Sequence, residues 1–311
     1  MTAPARVTLP ASMRVFERGW LSANNVLFID DATQDTTVVD TGYVTHADQT
    51  VALVSAALGD RPLRRVINTH LHSDHCGGNA ALQQRWQPRT AIPAAEAPAV
   101  AAWDTEALSF DATGQQCDRF RFDEVLHDGD RLELGGIDWQ VIAAPGHDPH
   151  AVMLFAPAHG ILIAGDVLWE NGFGVIFPEL DGESGFAEQA AMLSLIDRLD
   201  VRIVIPGHGR VFDEVAPAIE KARSRLDYLR ADPLRNASHG IRVLVKFKLL
   251  EAQALPREAC LAWFRATPLM QRIRARFMAD QSIEAIFDHA LLALQKAGAA
   301  RRDGDLVVNL D

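Results

Sequence analysis

The sequence predicts an α/β protein, with helices packed on β-sheets over residues 1–230 and a small, mostly helical part over residues 231–311. Two observations carry this. Short Val/Ile-rich runs alternate with helical stretches through the first two-thirds of the chain, and near residue 230 the pattern becomes helical alone. A third observation concerns function: a set of His and Asp residues able to bind a metal sits just after predicted strands.

Taken in order, residues 25–30, 37–40, 65–68, 137–143, 152–156, 161–164 and 202–205 read as strands, from their Val/Ile content and their polar, Gly or Pro flanks. Residues 45–57, 77–86, 94–108, 184–199 and 213–229 read as helices. Asp128-Gly129-Asp130 is a turn between β-type segments. Ala231-Asp232-Pro233 ends the long helix, because Pro lacks an N–H and restrains its predecessor. Past it, residues 241–254, 257–266, 268–277 and 283–297 are helical, the last closing at Gly298. Asp303-Gly304, between polar and β-branched residues, marks a small hairpin. Helices followed by a hairpin give this part a winged-helix-like outline.

The chain's 311 residues suffice for one large core or two domains. Apolar content of 48% and charged content of 23% are ordinary for a soluble globular protein, and no run approaches the ~18 apolar residues of a membrane span. The first twenty residues have no apolar core region and carry Glu17 and Arg18, so no signal peptide is expected. Cys76, Cys117 and Cys260 are few, odd in number and far apart, which fits reduced thiols and a cytoplasmic location. The net charge of -11 is uneven: Glu220 to Asp311 holds 16 Lys+Arg against 11 Asp+Glu, and residues 1–219 hold 14 against 30. Two differently evolved surfaces would explain this; so would a basic tail that attracts an anionic substrate or nucleic acid. The overall acidity argues against a dedicated nucleic-acid binder.

The densest chemistry lies in Thr69-His70-Leu71-His72-Ser73-Asp74-His75, where His-x-His-x-Asp-His places four metal-capable side chains on one short turn. Imidazole and carboxylate together suit zinc, iron and manganese. Asp40 in Asp40-Thr41-Gly42, His147 in Pro145-Gly146-His147, Asp166 in Gly165-Asp166 and His208 in Pro206-Gly207-His208-Gly209 also follow predicted strands. A lone Asp there is usually a turn former or helix cap, and a lone His near Gly is usually a partly exposed loop residue. That explanation fails for the set, with seven potential ligands besides Asp40 in strand-end loops and four of them at fixed spacing. No Gly-x-Ser-x-Gly elbow, phosphate-binding Gly-x-x-x-x-Gly-Lys-Ser/Thr loop or Gly-x-Gly-x-x-Gly motif competes.

Asp40, His70/His72/Asp74/His75, His147, Asp166 and His208, in that order, resemble the five motifs of the metallo-β-lactamase superfamily over residues 15–215. The resemblance implies an αββα sandwich with two divalent metal ions at one edge, most readily zinc, with iron or manganese as alternatives. It implies that His70, His72 and His147 bind the first ion, that Asp74, His75 and His208 bind the second, and that Asp166 bridges them. Asp40 would orient a ligand imidazole or the cluster turn through hydrogen bonds. Asp166 stands where the true zinc β-lactamases carry Cys, which argues against antibiotic hydrolysis. The implied chemistry is attack by a metal-bridging hydroxide on a carbonyl or phosphoryl group, with Asp74 both a ligand and an orienting catalytic carboxylate.

Within the superfamily, the Pro145-Gly146-His147 and Pro206-Gly207-His208-Gly209 contexts look like the hydroxyacylglutathione hydrolase and acyl-thioesterase branches. The implied substrate is then a small thioester or other ester, and the basic tail suits an anionic thiol carrier such as glutathione or coenzyme A. Three alternatives stay open: an endoribonuclease or phosphodiesterase that grips nucleic acid with its tail, an effector acting through partner contacts, and a glutathione persulfide dioxygenase. The segment 167–185 follows Asp166 directly and offers Trp169, Phe173 and Phe177, spaced by Gly172 and Gly174, as a substrate wall or as ordinary packing. His150 is a further substrate-contact candidate, and Cys76 reads as packing beneath the loop. The apolar helical tail makes a homodimer an expectation.

Overall fold

A computed structural model of the chain describes residues 7–310. Six strands, β1 (Met13–Phe16), β2 (Asn25–Ile29), β3 (Thr36–Val39), β4 (Arg65–Ile67), β5 (Arg89–Pro93) and β6 (Glu124–Leu126), form one sheet in sequence order. Five more, β7 (Arg131–Leu134), β8 (Ile137–Ala143), β9 (Val152–Ala156), β10 (Ile161–Gly165) and β11 (Ile203–Pro206), form a second sheet in the order 11-10-9-8-7. On the first sheet's flank lie α1 (Ala47–Leu58), α2 (Ser73–Cys76), α3 (Asn79–Trp86), α4 (Ala97–Ala102) and α5 (Phe110–Thr113).

Strand alternation shows how the layers stack. Val26, Phe28, Val39 and Ile67 of the first sheet share a core with Trp139, Val141, Leu154, Ile163 and Ile205 of the second. Their sequence neighbours point the other way: Leu27, Val38 and Val66 pack on Val54 and Leu58 of α1 and Leu82 of α3. Ile142, Met153, Leu162 and Val204 pack on the two long helices that follow β10 and β11. Each central strand is buried on both faces, so it reads as a continuous apolar run. The result is the αββα sandwich.

The chain continues through α6 (Phe177–Asp181), α7 (Phe186–Arg198), α8 (Val215–Arg230), α9 (Pro233–Ala252), α10 (Arg257–Ala266), α11 (Pro268–Phe277) and α12 (Ile283–Lys296). Leu193 and Ile196 of α7 and Ala218, Ile219 and Leu226 of α8 cover the second sheet. Helices α9 to α12 form a separate apolar cluster that also takes Val175 and Leu180 from the segment after β10. A small antiparallel sheet of β12 (Ala254–Pro256), β13 (Ala300–Asp303) and β14 (Leu306–Asn309) ends the chain, with the expected hairpin between β13 and β14.

Several expectations are corrected. Strands β1, β5, β6, β7 and β12 had no counterpart, because Arg14, Arg89, Glu124, Arg131 and Glu133 break their apolar patterns and β12 is only a short edge. The helix expected over 94–108 is broken at Trp103, which is left-handed at φ 55° and leaves only α4 intact. The helix expected from 241 begins at Pro233, where Asp232 caps it by accepting from Leu234 N at 3.0 Å. Pro233 therefore ends α8 and opens α9, as Pro does at a first helical position.

Candidate metal centre

Five strand ends meet at one edge of the sandwich. β3 and β4 are parallel neighbours, as are β10 and β11, and β8 and β10 run the same way because each is antiparallel to β9. Asp40, the His70–His75 turn, His147, Asp166 and His208 follow these five ends in turn. The loops are tied by backbone bonds: Thr41 N donates to His75 O at 2.7 Å, and Gly207 N donates to Gly165 O at 2.7 Å. Two glycines permit the close approach. A Cβ on Gly207 would lie 2.1 Å from Asp166 Oδ1, and one on Gly174 would lie 2.3 Å from His147 Nδ1.

The side chains converge in two groups. His70, His72 and His147 form one triad, and Asp74, His75 and His208 form the other, with the donor atoms of each within 4.8 Å of one another. His72 Nδ1 lies 2.8 Å from His147 Nε2, and Asp74 Oδ2 lies 3.0 Å from His208 Nε2. Asp166 sits between the groups. Its Oδ2 is 3.5 Å from His147 Nε2 and 3.9 Å from His208 Nε2, and its Oδ1 is 3.4 Å from His75 Nε2.

With this geometry established, the sequence profile of the metallo-beta-lactamase superfamily is found to match residues 19–208. The chain belongs to that superfamily. Among similar proteins, an acyl-coenzyme A thioesterase (MBLAC2) from Bos taurus is 29% identical over 223 residues, 63% of this chain and 77% of that one. Hydroxyacylglutathione hydrolases match too: the protein from Chromohalobacter salexigens is 31% identical over 47% of this chain and 48% of its own, and that from Anaeromyxobacter dehalogenans is 29% identical over 76% and 87%. A solved beta-lactamase domain protein from Burkholderia ambifaria shares the fold, with a TM-score of 0.56 and 22% identity over 97% of both chains. Members of the superfamily typically hold two metal ions, and family and relatives together indicate a metal-dependent hydrolase.

The hydrogen bonds around the metallo-beta-lactamase centre suit metal binding. His75 Nδ1 pairs with Asp40 Oδ2 at 2.8 Å and His147 Nδ1 with the Val175 carbonyl at 2.5 Å, so each ring holds its proton on the outer side and turns Nε2 inward. Thr69 Oγ1 lies 3.1 Å from His70 Nδ1 and donates to Asp40 Oδ2 at 2.8 Å. The Nε2 atoms of His70 and His75 are buried with no hydrogen-bond partner among the described residues. Such orphaned lone pairs are costly unless a cation takes them. The donor set fits a pair of divalent ions. Asp40, which anchors this network, is itself left-handed at φ 56°, a conformation Asp tolerates better than most residues.

The electrostatics favour positive charge at His75: burial opposes it, but Asp40, Asp166 and Asp74 outweigh burial and hold the imidazole well above its usual range, a charge that a divalent ion would replace. Burial, reinforced by His72, pushes the His147 imidazole down to about 4, and burial with its imidazole neighbours pushes His70 well below the usual range. The His147 and His70 rings are therefore neutral and ligand-ready at pH 7. Burial opposes ionisation of Asp166, but His208 and His75 outweigh it and hold the carboxyl well below the carboxylate range.

A cavity of about 390 Å³ opens beside the centre. His72, Asp74, His147, Asp166 and His208 reach it, as do Trp169 and Phe177 from the segment after β10. Trp20 also lines it, its ring stacked on His208 at 5.5 Å and 12° between planes. Two expected wall residues are elsewhere. Phe173 is buried in the core under the Arg225 guanidinium, and His150 points away to pair with Glu96 at 2.8 Å. Cys76 packs beneath the turn, 3.4 Å from the Leu71 carbonyl. Sequence reading missed Trp20 and Asp148. The buried Asp148 carboxylate lies 3.5 Å from His72 Nε2 and so braces that ring; its one signal is its position directly after His147.

Proposed function

We propose that this chain is a binuclear metal-dependent hydrolase of small thioesters, with His70, His72 and His147 on one ion, Asp74, His75 and His208 on the other, and Asp166 between them. The observation that carries it is the single carboxylate of Asp166 facing imidazoles of both triads. Nitrogen and oxygen donors without thiolate fit zinc, the proposed ion, and equally admit iron or manganese. Bound there, divalent ions supply a Lewis acid and an ionised water. The protein's own part is positioning: Asp40 and Val175 fix two imidazoles, and Asp74 can accept a hydrogen bond from the attacking water and orient it. Residues 1–230 carry this machinery, and residues 231–311 close the cavity over it with α9 and Leu294 of α12.

The thioester preference is supported by the mainly apolar cavity and by the thioesterase and hydroxyacylglutathione hydrolase relatives. A cavity walled by Leu244, Phe247 and Leu250 suits an acyl group better than a nucleic-acid strand. Assay of the zinc-loaded protein on acyl-coenzyme A, acyl-glutathione and single-stranded RNA, before and after chelation, tests it. Hydrolysis of a thioester that chelation abolishes is expected. Cleavage of RNA alone, or activity indifferent to chelation, would overturn the reading.

A further inference from the structure

The cavity has a second polar feature, which the proposed hydrolysis does not use. On the wall built by α8 and α9, Arg225, His239 and Arg242 line it together. Arg225 is held in place from several sides. Its Nη2 donates to His239 Nε2 at 2.6 Å, its guanidinium lies 5.3 Å over the Phe173 ring, and a Cβ on Gly172 would meet Nη1 at 2.9 Å. Arg242, half-buried one turn along α9 from Ser238, makes no hydrogen bond or ion pair with any described residue.

Neither guanidinium has a carboxylate partner among the described residues, and each is partly withdrawn from water. His239 does not add to the charge: burial and the two arginines push it down to about 3, so it is a neutral acceptor for Arg225. The wall thus carries two positive charges that repel one another in a poorly solvated place. Several other arginines of this part of the chain are paired with carboxylates. Arg223 pairs with Asp197, Arg257 with Asp288, Arg265 with Glu284 and Arg272 with Asp181. Lys246 also lines the cavity, but its ammonium donates to Ala299 O at 2.9 Å and Asn309 Oδ1 at 2.6 Å. The cavity wall thus presents two guanidiniums without a carboxylate, while Leu244, Phe247, Leu250 and Leu294 make a neighbouring stretch apolar.

We infer that Arg225 and Arg242 form an anion subsite that receives a carboxylate or phosphate carried by the substrate, while the apolar stretch receives its hydrocarbon part. A planar fork that is already braced, as Arg225 is, binds such an oxyanion at little entropic cost. His239 acts through Arg225 as a positioning residue. The inference deepens the hydrolase reading and rests on it for the identity of the bound molecule as a substrate.

The test measures binding and turnover separately. Non-hydrolysable S-butyl thioethers of mercaptoethanol, 3-mercaptopropionate and phosphopantetheine supply neutral, carboxylate and phosphate arms, titrated against intrinsic fluorescence, to which Trp20 and Trp169 at the cavity contribute. The matching S-butyryl thioesters give kcat/KM. At least one anionic thioether should bind ~10-fold or more tightly than the neutral one, as a charge-assisted hydrogen bond allows, and Arg242→Gln should erase most of that preference without changing the neutral ligand's Kd. The stronger arm names the anion. Arg242→Gln removes no hydrogen bond or ion pair to a described residue and should fold; Arg242→Lys, which keeps the charge, should retain part of the preference. Equal binding of charged and neutral thioethers, or an Arg242→Gln that weakens both alike, would overturn the subsite. Absence of turnover on all three thioesters with the binding preference intact would overturn the thioesterase reading and support the subsite.

Discussion

Replacing Asp166 with alanine is expected to lower divalent-metal affinity by more than the ~10–100-fold that losing an outer hydrogen-bond partner costs, and to take hydrolysis with it. The reason is geometric. One buried carboxylate approaches His147 on one side and His75 and His208 on the other. Without it the two groups of donors lose their shared anion, and Asp74 is left as the one carboxylate within the triads. Asp166→Asn separates charge from shape, since it can keep the acceptor for Trp169 Nε1 now at 3.2 Å but not the negative charge. Competition against a chromophoric chelator reads both variants. Alanine and asparagine should be similarly defective; an asparagine variant with wild-type affinity would show that the carboxylate charge is not what the centre uses.

Gly207→Ala should produce a comparable loss with every donor residue still in place. The added methyl would stand 2.1 Å from Asp166 Oδ1 and 2.9 Å from His75 Cε1, closer than real contacts allow, and both are buried with nowhere simple to go. Gly209→Ala is the natural control. That glycine has φ +85°, but a Cβ there meets nothing within 4 Å. Its cost is backbone strain of about 1 kcal/mol, and metal affinity should survive. Metal titration with thermal melts separates the two: Gly207→Ala should lose metal, whereas Gly209→Ala should lose only a few degrees. Equal metal affinity in both variants would mean that the close approach of Gly207 to Asp166 is unimportant.

The parts of this molecule that were legible in the sequence are those written locally. Central strands such as β9 and β10 are buried on both faces, so their apolar runs stand out. The His70–His75 turn is set by spacing, and Asp40, His147, Asp166 and His208 by their places after strands, so the structure brings together the residues the sequence singled out. Edge strands were hidden because solvent permits charge on them, as with Arg131 and Glu133 of β7. The cavity wall was hidden for a different reason. Trp20 comes from a loop far along the chain from α8 and α9, which carry Arg225 and Arg242, and nothing local marks an arginine on an amphipathic helix as facing inward. The aromatic segment after Asp166 shows the limit from the other side: composition announced three rings, but only the fold decides that Trp169 and Phe177 face the cavity while Phe173 turns to the core.

The account stands most directly on how many ions the centre holds. Elemental analysis of the purified, zinc-reconstituted chain should find two ions per chain, falling when His147 or His208 is replaced by alanine, one substitution for each triad. No bound transition metal, or a content that neither substitution changes, would contradict it.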